Sequence, residues 1–144
     1  MAALPQIQEM EHQLSANPGN MGLTLQLANV LHDNRFYDKA ITMYREYLLK
    51  NPKDTNARVD LGICYKEVGQ LDAAKKEMKK ALEYEPKHLL AQFNLGIVAL
   101  IDGNLTESND WFKKVVEMAP TSEVGKRAQQ LLSQHSNPQI LQPR

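Results

Sequence analysis

The chain has 144 residues, of which 42% are hydrophobic, and its 17 basic residues balance 17 acidic ones. This composition is typical of a folded chain with a buried core, and the balanced charge gives no overall field that would favour nucleic acid or an anionic membrane as a partner. No apolar run approaches the roughly 20 residues of a membrane-spanning helix, so we expect no insertion into a membrane.

Prolines recur every 34 residues and divide the chain into repeats. They stand at Pro18, Pro52, Pro86 and Pro120, each at the end of an amphipathic run. A fixed period of this length indicates an array in which neighbouring units complete each other's core. Apolar residues spaced by three and four predict two helices in each unit. The units are expected at 21–54, 55–88 and 89–122, with helices near 21–34, 37–50, 55–68, 71–84, 89–102 and 105–118.

The segments on either side of these units are predicted to cap the array. Residues 3–17 resemble the second helix of a truncated preceding unit, and residues 122–135 form a polar helix with Ala128, Leu131 and Leu132 on its inner side. Terminal units of an array need a solvated outer face, which such helices provide. We therefore expect a single domain at 1–135 and a flexible tail at 136–144.

Small residues and helix-ending residues recur with the same period. Small side chains at equivalent positions of the two helices predict close helix crossings, and these positions are Ala28/Ala40, Gly62/Ala74 and Gly96/Ser108. Gly69 and Gly103 follow the first helix of their units, where a left-handed residue commonly ends a helix. Arg35 occupies this position in the first unit, so Asn34 is expected to take the left-handed conformation instead. Asn104 and Glu107 resemble a capping pair for the helix that follows them.

This pattern resembles the tetratricopeptide repeat (TPR). The middle unit matches it best, with Leu61, Gly62, Tyr65, Gly69, Ala74, Ala81 and Pro86 in place. Where the family often has Trp, the three units hold Thr24, Arg58 and Gln92. The resemblance covers 21–122 and implies an all-α fold, a right-handed helical solenoid of antiparallel helix pairs.

The resemblance also implies where a partner binds, because the first helix of each unit lines the concave face of such arrays. The matching positions form an apolar groove with a polar rim, which suits a peptide or an amphipathic helix of a protein partner. These positions are Leu25, Asn29, His32, Val59, Asp60, Ile63, Lys66, Phe93, Asn94, Ile97 and Leu100. The alternative is that the C-terminal cap covers Phe93, Ile97 and Leu100.

Chaperone-binding members of the family hold a carboxylate pair with Lys, Asn and Arg side chains. At the matching positions this chain has Leu25, Asn29, Asp60, Leu90 and Asn94. Only Asn29 keeps the family's residue, and Asp60 would repel a carboxylate. We therefore expect that the chain is not a carboxylate-clamp binder of chaperones.

The sequence offers little that points to catalysis or to a cofactor. The four histidines, His12, His32, His88 and His135, show no pair at the spacing that places two metal ligands on one helical face. The single Cys64 has apolar neighbours at helical spacing, which predicts an unreactive buried thiol. We expect no enzyme activity, no cofactor and no metal.

One basic cluster allows two interpretations. Lys75, Lys76, Lys79 and Lys80 lie on the outer side of the helix predicted at 71–84. They could contact phosphates, but Asp72, Glu77, Glu83 and Glu85 share the helix, so a solvated outer face is favoured and no nucleic-acid partner is expected.

The sequence therefore predicts a protein-interaction adaptor. Two alternatives stay open, a self-associating structural module and the soluble part of a bacterial envelope or cytochrome-assembly complex. The first residues lack the basic and apolar segments of a signal peptide. A cytoplasmic protein is expected, or a periplasmic or membrane-tethered one if the chain is a piece of a longer protein.

Overall fold

The computed structural model describes residues 3–135 and shows eight α-helices over that range. The helices are α1 (Ala3–Ala16), α2 (Met21–Asp33), α3 (Tyr37–Lys50), α4 (Thr55–Glu67), α5 (Leu71–Tyr84), α6 (Leu89–Ile101), α7 (Leu105–Met118) and α8 (Glu123–His135). The predicted helices are confirmed, and their bounds agree within one residue at each end. The predicted flexible tail at 136–144 lies outside the described residues.

Polar side chains start most of these helices. Asn20, Asp54 and Asn104 each accept a hydrogen bond from the backbone N–H three residues later, which satisfies one of the unpaired donors of a first helical turn. The predicted capping pair is confirmed, since Asn104 Nδ2 also donates to Glu107 Oε2 at 3.1 Å. At α6 the cap is His88, whose Nδ1 accepts from the Ala91 N–H at 3.2 Å.

The first helices of the three units end in the same way. Arg35, Gly69 and Gly103 all have positive φ, at 65°, 82° and 82°. The next residue of each donates its N–H back to a carbonyl five residues earlier, which is the Schellman arrangement. The expectation that Asn34 would be left-handed is wrong, because its φ is −99°. The backbone pattern places the left-handed residue at a fixed position of the repeat, and in the first unit Arg35 bears that conformation.

The chain divides into two compact units, Met1–Glu77 and Met78–Arg144, with the boundary inside α5. In the first unit α1 packs on α2, α2 on α3 and α3 on α4. The core residues include Leu27, Leu31, Tyr44, Leu61 and Cys64. Burial of these side chains supplies the main stabilisation of the helix pairs, at about 25 cal/mol per Å² of apolar surface.

Arg58 forms two hydrogen bonds at the end of this unit. It is 5% exposed, and its Nη1 and Nη2 donate to Glu77 Oε2 and to the Pro52 carbonyl, both at 2.7 Å. This contact uses the position where the repeat family often has Trp. The polar residue at this position therefore ties α4 to α5 and to the loop that precedes α4.

In the second unit α6 packs on α7, and α7 packs on α8. Gly96 and Ser108 meet at the crossing of α6 and α7, where the buried Ser108 Oγ donates to the Gly96 carbonyl at 2.9 Å. This contact confirms the predicted close crossing at that pair. Gln92, one repeat after Arg58, donates from Nε2 to the Pro86 carbonyl at 3.0 Å. Within residues 3–135, no helix is both long and apolar enough to cross a membrane.

Candidate functional site

The inner positions of α2 and α4 supply the candidate surface of the first unit. Asn29 is exposed, while the other predicted residues are half-buried except for one. The half-buried residues are Leu25, His32, Asp60, Ile63 and Lys66. Each of these side chains retains some accessible surface and is able to contact a partner.

Val59 does not belong to this surface. It is only 1% exposed, so its prediction as a groove residue is wrong. The buried residues of α4 extend beyond a single stripe of the helix, because they include Arg58 and Val59 as well as Leu61 and Cys64. A single apolar stripe, as assumed from the spacing, therefore underestimates how much of α4 is covered.

Tyr44 contacts the polar side chains of this surface from the core side. Its ring comes from α3 and is fully buried, and its hydroxyl donates to Asn29 Oδ1 at 2.7 Å. The His32 Nδ1 lies 3.4 Å from the same hydroxyl, and the two rings meet edge to face at a centroid distance of 6.2 Å. Because Asn29 Oδ1 is occupied by Tyr44, the Nδ2 group of this exposed side chain is oriented as a donor for a partner.

Tyr44 is not among the residues that the sequence predicts for the site. The signal was present, since the equivalent residues of the other units are Met78 and Phe112. A tyrosine in a column of apolar residues brings a hydroxyl into the core, and a buried hydroxyl needs a hydrogen-bond partner. That requirement points to a polar residue on the neighbouring first helix, which is Asn29.

Carboxylates dominate the charge of this surface. Asp33 and Glu67 are exposed and Asp60 is half-buried, while Lys66 Nζ lies 3.5 Å from Glu67 Oε1. Burial raises the pKa of the Tyr44 hydroxyl, and the charges of Asp60, Cys64 and Asp33, in that order, raise it further. The hydroxyl therefore stays protonated and remains the donor to Asn29.

Cys64 lies beneath the same surface. It is fully buried, and burial, followed by the charges of Asp60 and Glu67, raises the pKa of its thiol to about 12. Since the thiolate is the reactive form, this environment agrees with the expectation of an unreactive thiol.

The predicted groove residues of the second unit serve largely as core. Phe93, Ile97 and Leu100 are half-buried against a cluster that contains residues of α7 and α8. The ring of Phe93 lies 5.6 Å from that of Phe112. The alternative reading of the sequence, in which the C-terminal cap covers these three side chains, therefore applies in part, because α8 contributes Ala128 and Leu131 to the cluster.

Asn94 is also removed from solvent. It is 6% exposed, and its Nδ2 donates to the Leu90 carbonyl one turn earlier at 2.9 Å. Its prediction as a rim residue is wrong, because α6 is apolar along most of its length and is buried on several sides. The first unit therefore presents the more accessible of the two predicted surfaces.

His88 is buried at the start of α6. The side chain is 8% exposed, caps α6 through Nδ1, and places Nε2 3.7 Å from Glu85 Oε2. Its role is structural. Across the described part of the chain, no group of three or more His, Cys, Asp or Glu side chains could hold a metal ion.

Comparison with known proteins places these features in context. Residues 24–139 match the family model of the cilia and flagella-associated protein 70 middle TPR-like domain. Over 81 residues, the chain is 35% identical to the BBSome complex member BBS4 of Bos taurus. That match covers 56% of this chain and 15% of BBS4, so the chain spans only a small part of this relative.

Two solved structures show the same arrangement of helices. The crystal structure of MamA superposes with a TM-score of 0.80 at 18% identity, over 90% of this chain and 76% of that one. The TPR protein YrrB, whose structure is described as having an unusual peptide-binding site, superposes with a TM-score of 0.80 at 24% identity, over 86% and 64% of the two chains. The predicted fold class, an all-α array of helix pairs of the tetratricopeptide-repeat type, is confirmed.

Proposed function

Because the chain belongs to the tetratricopeptide-repeat family, we propose that it is a non-enzymatic adaptor that binds a peptide or helix of a protein partner on the inner face of α2 and α4. The fold and the relatives support a protein-interaction scaffold in general. The specific surface is a proposal that rests on the geometry of the first unit.

The observation that carries the proposal is the combination of open apolar side chains with a fixed polar donor. Leu25 and Ile63 are half-buried and lie on the first helices of neighbouring repeats, Ile63 being four residues, about one helical turn, beyond the position equivalent to Leu25. Asn29 is held by Tyr44 so that its Nδ2 group can donate to a backbone carbonyl of the partner. Apolar contacts supply burial energy, while an oriented amide sets the register of an extended or helical segment.

Preorganisation favours binding at such a surface. The Asn29 side chain is already fixed through the buried Tyr44 hydroxyl, so less side-chain entropy is lost when a partner binds. The description of YrrB as a peptide-binding TPR protein supports the same type of function for this fold. We also propose that the partner is not the carboxylate terminus of a chaperone, since Asp60 occupies a position that would need a donor.

Selection from a phage-displayed peptide library against the intact chain tests the proposal. The test variant is Ile63→Glu, which places a charge on the half-buried inner face. The matched control is Leu49→Glu on α3, where the wild-type side chain is 82% exposed. Enrichment of peptides by the wild type and the control, but not by the folded Ile63→Glu variant, supports the inner face as the site.

Equal enrichment by wild type and Ile63→Glu would contradict the proposal. Circular dichroism establishes that the Ile63→Glu variant is folded. Asn29→Ala provides a second, milder variant at an exposed position. It should weaken binding of the enriched peptides by about five- to thirty-fold, the loss expected for one directed hydrogen bond.

A further inference from the structure

The inner face of α2 and α4 combines open apolar surface with an excess of negative charge. Its charged side chains are Asp33, Asp60, Glu67 and Lys66, that is, three carboxylates and one ammonium group. The other basic residue of α4, Arg58, is 5% exposed and pairs with Glu77, so it does not offset these charges at the surface. The face is therefore apolar and acidic, although the whole chain is neutral.

We propose that the partner segment is basic as well as apolar, with Lys or Arg side chains that lie beside Asp33 and Asp60 while apolar side chains contact Leu25 and Ile63. This inference rests on the proposed function, because it names the chemistry of the segment that binds the same surface. It goes further in that it states the sign of the partner's charge.

The shapes of lysine and arginine suit this combination. Their methylene stems pack on apolar surface, while the charged end groups remain in water or reach a carboxylate. On this face the half-buried Ile63 and Asp60 are three residues apart on α4, which places them one helical turn apart on the same side. A single long basic side chain can therefore contact both residues.

The carboxylates of this face also raise the pKa values of two buried groups beneath it. Asp60 and Asp33 both raise the pKa of the Tyr44 hydroxyl, and Asp60 and Glu67 raise that of the Cys64 thiol. The negative charges of the face therefore act on the hydrogen-bonded pair Tyr44 and Asn29. A phosphate or a carboxylate would be repelled there, which disfavours nucleic acids and acidic peptides as occupants.

The composition of the selected peptides tests the inference. The phage library is panned against the intact chain at low ionic strength, with the uncharged variant Ile63→Gln as the counter-selection, because this variant removes the apolar contact without adding a charge to the acidic face. Enriched peptides with more Lys and Arg than the starting library support a basic partner. Enriched peptides that are neutral or acidic overturn the inference but leave the proposed function standing, whereas no enrichment over Ile63→Gln overturns the proposed function itself.

Two double variants then test whether the carboxylates of this face attract the peptide. In Asp33→Asn with Asp60→Asn, two carboxylates are removed from the face without a change of shape, and an enriched basic peptide should bind about three- to twenty-fold more weakly. The matched control, Glu11→Gln with Glu46→Gln, removes two exposed carboxylates from α1 and α3 and should leave the affinity unchanged.

Equal weakening in the two double variants would mean that overall charge, not this face, attracts the peptide, and it would overturn the inference. Raising the salt from about 0.05 M to about 0.5 M should reduce the difference between wild type and the Asp33/Asp60 variant, because salt screens exposed charges. Affinity that is independent of both salt and these carboxylates would likewise contradict a basic partner.

Discussion

Substituting alanine for glycine at two positions of the chain should change stability in opposite directions. A Cβ added to Gly96 would lie 2.5 Å from Cε1 and 2.7 Å from Cδ1 of the Phe112 ring. A Cβ added to Gly22 would meet nothing closer than Asn20 Oδ1 at 3.5 Å, which is ordinary contact. Both glycines lie in helices, so both gain the helix preference of alanine, and only Gly96→Ala must also displace a buried ring.

The magnitude follows from these two contributions. Replacing a helical glycine by alanine stabilises by about 0.5–1 kcal/mol. Inserting a methyl group into a packed core costs about 1–3 kcal/mol. Phe112 is fully buried and already contacts Phe93, so it has little room to move. We expect Gly96→Ala to lower the free energy of unfolding by about 1–2 kcal/mol, and Gly22→Ala to raise it by up to about 1 kcal/mol.

Urea unfolding followed by circular dichroism measures both values. A double variant, Gly96→Ala with Phe112→Leu, adds a test of the cause, since the smaller side chain should remove the clash. The cost of Gly96→Ala should then be smaller in the Phe112→Leu background than in the wild type. If Gly96→Ala stabilises the protein as Gly22→Ala does, the close crossing of α6 and α7 is refuted.

Two further predictions concern the backbone and pH. Arg35→Gly should stabilise the first unit by about 0.5–1 kcal/mol, because Arg35 has a positive φ of 65°, which glycine adopts without strain. Gly69→Ala, at φ 82°, should destabilise by at least that amount. Melting temperatures that shift in the same direction in the two variants would contradict this. The Cys64 thiol has a folded-state pKa raised to about 12, so its contribution to stability is complete below the pKa of the unfolded thiol and is lost as pH rises towards 12. The free energy of unfolding should therefore fall by up to about 1.4 kcal/mol per pH unit above about pH 9. In Cys64→Ala, the plot of unfolding free energy against pH should be flatter between about pH 9 and 10. An identical slope in the variant would show that the thiol is not responsible.

The helices and their ends could be predicted from the sequence because they depend on local features. The prolines, the apolar spacing and the capping pair Asn104 and Glu107 act within a few residues of each helix. Arg35 shows the limit of this reasoning. Residue preferences pointed to Asn34, but the repeat fixes the backbone conformation by position, and the side chain at that position adapts to it.

The candidate site was predicted only in part, because exposure depends on neighbouring helices. The spacing correctly gave Asn29 and Ile63 accessible positions, whereas Val59 and Asn94 are buried. α4 and α6 are covered on several sides, and one-dimensional periodicity does not reveal how many neighbours a helix has. The role of Tyr44 depends on a contact between side chains 15 residues apart, which no local pattern contains.

The polar residues at the position of the family's Trp illustrate the same point. Arg58 and Gln92 stand one repeat apart, and each donates to the carbonyl of the proline six residues earlier. The sequence showed only that Trp was absent. The structure shows that a long polar side chain replaces it with a hydrogen bond to the preceding loop.

The most direct test of the central claim is an NMR titration of the isotope-labelled chain with a peptide selected from the library. Binding on the inner face of α2 and α4 predicts that the largest chemical-shift changes occur at the side-chain amide of Asn29 and the methyl groups of Leu25 and Ile63. Signals of Thr42 and Leu49, on the exposed side of α3, should change little. Shifts centred on Thr42 and Leu49, with Asn29 and Ile63 unchanged, would contradict the account.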